Sequence, residues 1–208
     1  MSSSQAGSSK PSSVEANLKK ALELKEEGNR LYAEAANDAD ALLAALRCWH
    51  TALLHCAGIN SFASMYGAKS TPGQDKRAQD LTVALRLNLA ACYIKEAKYD
   101  KAIYATTKVL ETDDKNLKAL YRRSLARLRT GDLQRAAQDL DLALEQSPRD
   151  PSIRRLAAEL VEKEQDRIGR QGEEEARKAD EEERKKRSEE EAKRHDSLRE
   201  KEQSQPAS

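Results

Sequence analysis

The chain has 208 residues, of which 38% are apolar, 4% aromatic and 35% charged, where an ordinary globular domain carries roughly 45–50% apolar and about 25% charged residues. That excludes one packed core filling the whole length and, with a single Phe and a single Trp, a β-sandwich or barrel; the wealth of Ala, Leu, Glu, Lys and Arg points to an all-α fold. The 37 basic and 36 acidic residues leave a net charge of +1, so a chain-wide basic field for nucleic acid is absent.

Met1 to Ser13 is rich in Ser and lacks an apolar stretch, so residues 1–14 are expected to be disordered and have no signal-peptide character. No run approaches the ~18 apolar residues of a membrane span, and myristoylation and prenylation motifs are missing. Cys48, Cys56 and Cys92 are odd in number and lack a CxxC spacing, which argues against a disulfide framework. The expectation is a monomer in the cytoplasm or nucleus that binds neither membrane nor nucleic acid.

Further along, helix pairs recur. Leu24, Gly28 and Leu31 mark a first helix, with Gly28 at a close approach of its neighbour, and Ala45, Trp49 and Ala52 mark the partner. A loop around Ala36 to Asp40 lengthens this unit by about five residues relative to a 34-residue helix-turn-helix period. Ala97-Lys98-Tyr99-Asp100-Lys101-Ala102 aligns with Gly131-Asp132-Leu133-Gln134-Arg135-Ala136 at a spacing of 34. In the last unit Ala136, Leu140, Ala143 and Pro148 alternate small and bulky residues as antiparallel helices require, whereas Ala102, Thr106 and Val109 follow that pattern poorly. The spacing predicts three repeats over 15–57, 81–114 and 115–148 within a domain over 15–165, with an insertion at 58–80 containing Gly58, Phe62, Gly67, Pro72 and Gly73. Ile153, Leu156 and Leu160 predict a capping helix over 152–165, which an open-ended solenoid needs.

The remainder, 166–208, is a charged single helix or a disordered tail. It has Glu-first pairs four apart, such as Glu174 with Lys178 and Glu183 with Arg187, each worth ~0.2–0.5 kcal/mol to a helix. The helix is expected to start after Gly169 and Gly172, and without an apolar heptad it does not pair as a coiled coil. Arg184 to Arg187 is flanked by Glu181 to Glu183 and Glu189 to Glu191, which argues against nucleic-acid binding there.

The first helices of the units line the concave side, and polar residues recur on them. Lys25 and Asn29 are one turn apart, Asn88 follows Leu87, and Lys118 and Arg122 are again one turn apart, with no carboxylate spaced to neutralise them on the same stripe. Such a set would receive carboxylates through charge-assisted hydrogen bonds of ~1.5–3 kcal/mol each. For an isolated pair of such residues, a solvated helix face would be the simpler reading. Tyr32, Tyr93 and Tyr121 beside them are read as packing between helices. Cys48, His55 and Cys56 share a helical face without a fourth ligand, since His50 points elsewhere and His195 lies in the tail. They are read as packing residues rather than a metal site or a Cys/His nucleophile. No metal, cofactor or catalytic residue is expected.

The motifs Lys-Glu-Glu-Gly-Asn at 25–29, Leu-Asn-Leu-Ala-Ala-Cys-Tyr at 87–93 and Lys-Ala-Leu-Tyr-Arg-Arg at 118–123 resemble those of carboxylate-clamp tetratricopeptide repeat (TPR) domains of co-chaperones, over about Asn17 to Gln165. The resemblance implies that Lys25, Asn29, Asn88, Lys118 and Arg122 hold the C-terminal Asp of heat-shock chaperone tails ending Glu-Glu-Val-Asp, of the seventy or ninety kilodalton class. The insertion is similar to that of large immunophilins and of the tetratricopeptide repeat protein nine family. The chain has no room for a prolyl isomerase domain, so the resemblance implies an adaptor and not an enzyme. The other reading of the same residues is a structural scaffold whose groove holds a non-chaperone partner, with the charged helix as spacer.

Overall fold

A computed structural model describes residues 13–35, 38–61 and 70–203. They form seven helices, α1 (Ser13–Glu34), α2 (Ala39–Ser61), α3 (Pro72–Lys95), α4 (Tyr99–Leu110), α5 (Leu117–Thr130), α6 (Leu133–Gln146) and α7 (Pro151–Gln203), with no strand among the described residues. The chain divides into two compact units, Met1–Ala157 and Ala158–Ser208.

In the first unit each helix from α1 to α5 packs on the next, while α1 also meets α3 and α3 meets α5. No α2–α4 or α4–α6 pairing occurs among the described residues. The row α1, α3, α5 is therefore closed up and the row α2, α4, α6 is splayed, which curves the stack around the closed row. Small residues permit this spacing: Ala21, Ala45, Ala52, Ala90, Ala102, Ala136 and Ala143 are fully buried. Gly28 follows the same logic at its limit, since a Cβ there would lie 2.5 Å from Trp49 Nε1. Thr106, the poor match to the repeat pattern, is fully buried, and its hydroxyl donates to the Ala102 carbonyl at 2.7 Å. That bond satisfies the one polar group a bulky aliphatic residue would have lacked.

The turns are set by side chains. Asn116 accepts from the Ala119 amide at 3.1 Å and Asp132 from the Arg135 amide at 3.3 Å, capping α5 and α6. Gly131 ends α5 in the left-handed region at φ 82°, and at the aligned position after α3 stands Ala97 at φ 54°, where a side chain costs about 1–2 kcal/mol.

The stretch 58–80 is not wholly an insertion between elements. α2 runs to Ser61 and α3 starts at Pro72, while Phe62 and Gly67 lie outside the described residues. Pro72 occupies the first turn, where its missing N–H costs nothing, and Thr71 and Gln74 form a capping box. Asn29 bonds Asn88 and Glu15 meets Gln74, both at an offset of 59, so α1 and α3 lie side by side in parallel. With the 34-residue offset between α3 and α5, both α1 and α3 begin roughly 11 residues before the equivalent start of α5, about 16 Å of helix. Val14, Leu18, Ile59 and Ala78 form a separate buried cluster there. Ser13 and Val14, expected to be disordered, are thus helical, and Val14 is buried; residues 1–12 lie outside the described residues. The lengthening near Ala36 is smaller than expected: 16 positions separate Asn29 from Ala45, against 14 from Asn88 to Ala102 and from Arg122 to Ala136.

Ile153 and Leu156 in the first turns of α7 are buried, each worth ~1.5–3 kcal/mol. In the second unit α7 does not start afresh after Gly169 and Gly172 but includes both. Four Glu–Lys or Glu–Arg pairs at i,i+4 join Glu174 to Lys178, Glu181 to Lys185, Glu182 to Lys186 and Glu183 to Arg187. No helix among the described residues is long and apolar enough to cross a membrane.

Candidate anion-binding groove

The two offsets sort the five polar residues into two tiers across the inner row. Asn29, Asn88 and Arg122 are equivalent positions, and one turn before them stand Lys25, Ala84 and Lys118. Asn29 Oδ1 accepts from Asn88 Nδ2 at 2.7 Å, which ties α1 to α3, and the Asn29 amide donates in turn to the Glu26 carboxylate. Arg122 Nη1 donates to the Leu87 carbonyl at 2.8 Å, tying α5 to α3 beside Asn88. Four of its five N–H donors remain for other partners. Arg122 is half-buried; that burial pushes its guanidinium below the ordinary pKa, and the nearby Tyr32 phenol acts in the opposite sense.

Lys25 is half-buried and Lys118 exposed. Lys118 makes no hydrogen bond or ion pair among the described residues. Lys25, contrary to the expectation of an unneutralised stripe, meets a carboxylate: its Nζ is 2.8 Å from Glu26 Oε1. Sequence neighbours on a helix point about 100° apart, so spacing alone hides this pair; the flexible lysine stem bridges it. Glu26 is largely exposed, and its pKa is lowered by the hydrogen bond and charge of Lys25. Ala84 leaves room between Lys25 and Lys118, and a cavity of about 290 Å³ is lined by Lys25 with Leu18, Leu22, Leu81 and Ala84 and by the charged Arg77 and Asp80.

The groove is braced from behind. Trp49 is 1% exposed and stacks at a tilt on Tyr32 with 5.6 Å between ring centroids. Tyr32 thus joins the packing and the electrostatics of Arg122 at once, a role its position in the sequence did not reveal. Tyr93 instead faces α2, where its hydroxyl is 2.8 Å from His50 Nε2. Arg123, next to Arg122, makes two bonds to Asp139 on α6, at 2.9 and 2.7 Å, and Arg127 adds a third at 2.7 Å. This triad fixes the roll of α5 and hence where Lys118 and Arg122 project. The Cys/His face holds no metal cluster among the described residues: Cys56 is buried in the core and His55 Nδ1 pairs with Asn17 Oδ1 at 3.1 Å. Burial pushes the Cys92 thiol up to about 11, the opposite of an activated nucleophile.

No protein-family model matches the sequence. Among curated proteins, the chain is 40% identical over 90 residues to the peptidyl-prolyl cis-trans isomerase FKBP42 of Arabidopsis thaliana, covering 41% of this chain and 25% of that protein. It is 34% identical over 110 residues to peptidyl-prolyl cis-trans isomerase D of Kluyveromyces lactis, covering 50% and 30%. The chain therefore spans less than a third of the length of these relatives. Among solved structures, the C-terminal TPR-containing domain of a Plasmodium falciparum FK506-binding protein superimposes with a TM-score of 0.64 at 27% identity, covering 75% of this chain and 95% of that one. The Hsp90 co-chaperone Cns1 of Saccharomyces cerevisiae shares the fold with a TM-score of 0.61 at 23% identity, covering 80% and 46%. The second TPR domain of human RPAP3, solved in complex with the HSP70 peptide SGPTIEEVD, shares it at 0.52 and 22%, covering 70% and 98%.

Proposed function

Starting from a chain that carries a TPR domain similar to those of FK506-binding immunophilins, we propose that its concave groove binds the acidic C-terminal tail of a heat-shock chaperone. The residues are Lys25, Asn29, Asn88, Lys118 and Arg122. The terminal carboxylate meets the amide donors of Asn29 and Asn88 together with Lys25, and the side-chain carboxylate of the last Asp meets Lys118 and Arg122. The observation that carries this reading is the Asn29–Asn88 bond of 2.7 Å beside an Arg122 anchored on Leu87 O: donors from three helices are tied together before any ligand arrives, which lowers the ordering cost of binding. Neighbours of the same fold lend it chemistry, since one RPAP3 domain was solved with an HSP70 peptide and another with the HSP90 peptide SRMEEVD. The role is that of an adaptor. It involves no chemical step.

Titration calorimetry with a peptide ending Glu-Glu-Val-Asp tests it. The free acid is expected to bind with roughly micromolar affinity, near −8 kcal/mol, and the C-terminally amidated peptide at least tenfold more weakly. Arg122→Ala, which strips a half-buried cation from the paired carboxylate, should cost ~2–5 kcal/mol, and exposed Lys118→Ala about 1 kcal/mol. Equal affinity for the acid and the amide would sink the proposal.

A further inference from the structure

A second concavity lies on a different face of α3 from Asn88. It measures about 530 Å³ and is formed by α2, α3 and α4, within the roughly 300–1,000 Å³ of small-molecule sites. Leu53, Leu89, Tyr93 and Ala105 give it apolar walls, and Leu89, Tyr93 and Ala105 are buried. The two polar groups on that side, Tyr93 OH and His50 Nε2, engage each other at 2.8 Å. Charge sits on the rim, where Arg86 and Lys101 outnumber Asp100. Arg86 is held in place by donation to the Lys108 carbonyl at 3.2 Å, which uses one of its five donors. Lys101 Nζ lies 5.8 Å from the Tyr93 ring centroid, above the apolar wall. Tyr104, 67% exposed, completes the rim. None of these side chains belongs to the groove.

We propose that this cavity is a binding site for a small organic anion with an aromatic or branched aliphatic body. The body displaces water from the Leu53–Leu89–Ala105 surface. The anionic group meets Arg86 and Lys101, away from Asp100. A neutral apolar molecule would leave the two cations unanswered, and a simple inorganic anion would leave the apolar wall wet, so the mixed character of the cavity selects a molecule with both parts. Asn88 and Leu89 are adjacent in α3 yet serve different concavities, so the two sites are expected to fill independently.

The experiment titrates the full chain with 8-anilinonaphthalene-1-sulfonate, an aromatic body with one sulfonate, and follows its fluorescence. Its uncharged counterpart N-phenyl-1-naphthylamine is titrated in parallel. The expected result is saturable binding at one molecule per chain, at least fivefold weaker for the uncharged compound. Lys101→Glu, at an exposed position and with its fold checked by circular dichroism, should weaken the sulfonate at least fivefold. Leu53→Asp should abolish its binding. Arg122→Ala and a saturating acidic peptide should leave it unchanged. The proposal is overturned by no saturable binding, by equal affinity for charged and uncharged compounds, or by a sulfonate affinity untouched by Lys101→Glu. Displacement by the acidic peptide would also overturn it, by moving the dye to the groove.

Discussion

Gly28 lies between Lys25 and Asn29 on the groove helix, and its back is pressed against the indole of Trp49. The methyl introduced by Gly28→Ala would come 2.5 Å from Nε1, 2.7 Å from Cδ1 and 2.9 Å from Cε2, where carbon contacts settle at about 3.5–4.0 Å. Trp49 is buried and has no space to retreat into, so α1 and α2 must part by roughly 1 Å. Overpacking of this kind costs about 1–3 kcal/mol, and three contacts under 3.0 Å put it at the upper end. Set against it is the helix-propensity gain of ~0.8–1.0 kcal/mol for Gly to Ala. The balance is a loss of about 2 kcal/mol, or ~4–8 °C in Tm for a domain near 150 residues. Urea unfolding measures it directly, and the penalty should shrink in a Trp49→Leu background, where the methyl has room. Acidic-peptide affinity should fall with it, because Lys25 and Asn29 ride on the displaced segment. A variant more stable than the parent by about 1 kcal/mol would refute the reasoning, since that is the propensity term acting alone.

Two further outcomes follow from side chains away from the groove. Ala97→Gly removes a Cβ from a left-handed position (φ 54°); relief of about 1–2 kcal/mol less ~0.4–1 kcal/mol of unfolded-state entropy should stabilise the domain by roughly 0.5–1 kcal/mol in urea melts, and a destabilised variant would contradict it. Asp139→Asn leaves Arg123 and Arg127 without the carboxylate they share and should cost about 3 kcal/mol, with weaker peptide binding as α5 loses its brace; unchanged stability would mean the triad is not holding α5.

The repeat helices were legible because small and bulky residues recur at a fixed spacing, and the polar residues of the groove because they recur in that same frame. Where the structure differs from the sequence expectation, the cause is local chemistry with two meanings. Pro72 and Gly73 fall within the insertion predicted over 58–80, yet Thr71 and Gln74 flank them as a capping box, so the same residues open α3. Gly169 and Gly172 likewise predict a helix start, though each glycine costs a helix only about 1 kcal/mol relative to Ala and α7 includes both. Pairs such as Asn29–Asn88, His50–Tyr93 and Arg77–Glu15 join residues 43 to 62 positions apart. They depend on the register between helices, which spacing within any one helix does not state. The second cavity stayed hidden for that reason, since its walls come from three helices and none of them carries a motif.

The early starts of α1 and α3, matched by the long α2, mean that the first hairpin has grown at its open end, and the added turns bring Leu18 and Leu22 up to Lys25. Length added to both arms of a hairpin in whole turns advances its far end by about 5.4 Å per turn without rotating any side chain nearer the other end. Such growth leaves the direction in which Asn29 and Asn88 project unchanged. Trimming two turns, about seven residues, from each arm would shift phase by only ~20°, whereas one unmatched residue in either arm would rotate everything beyond it by about 100°. The extra helix is therefore an outboard segment that selection or engineering can lengthen, shorten or re-face as a separate surface, provided both arms change together.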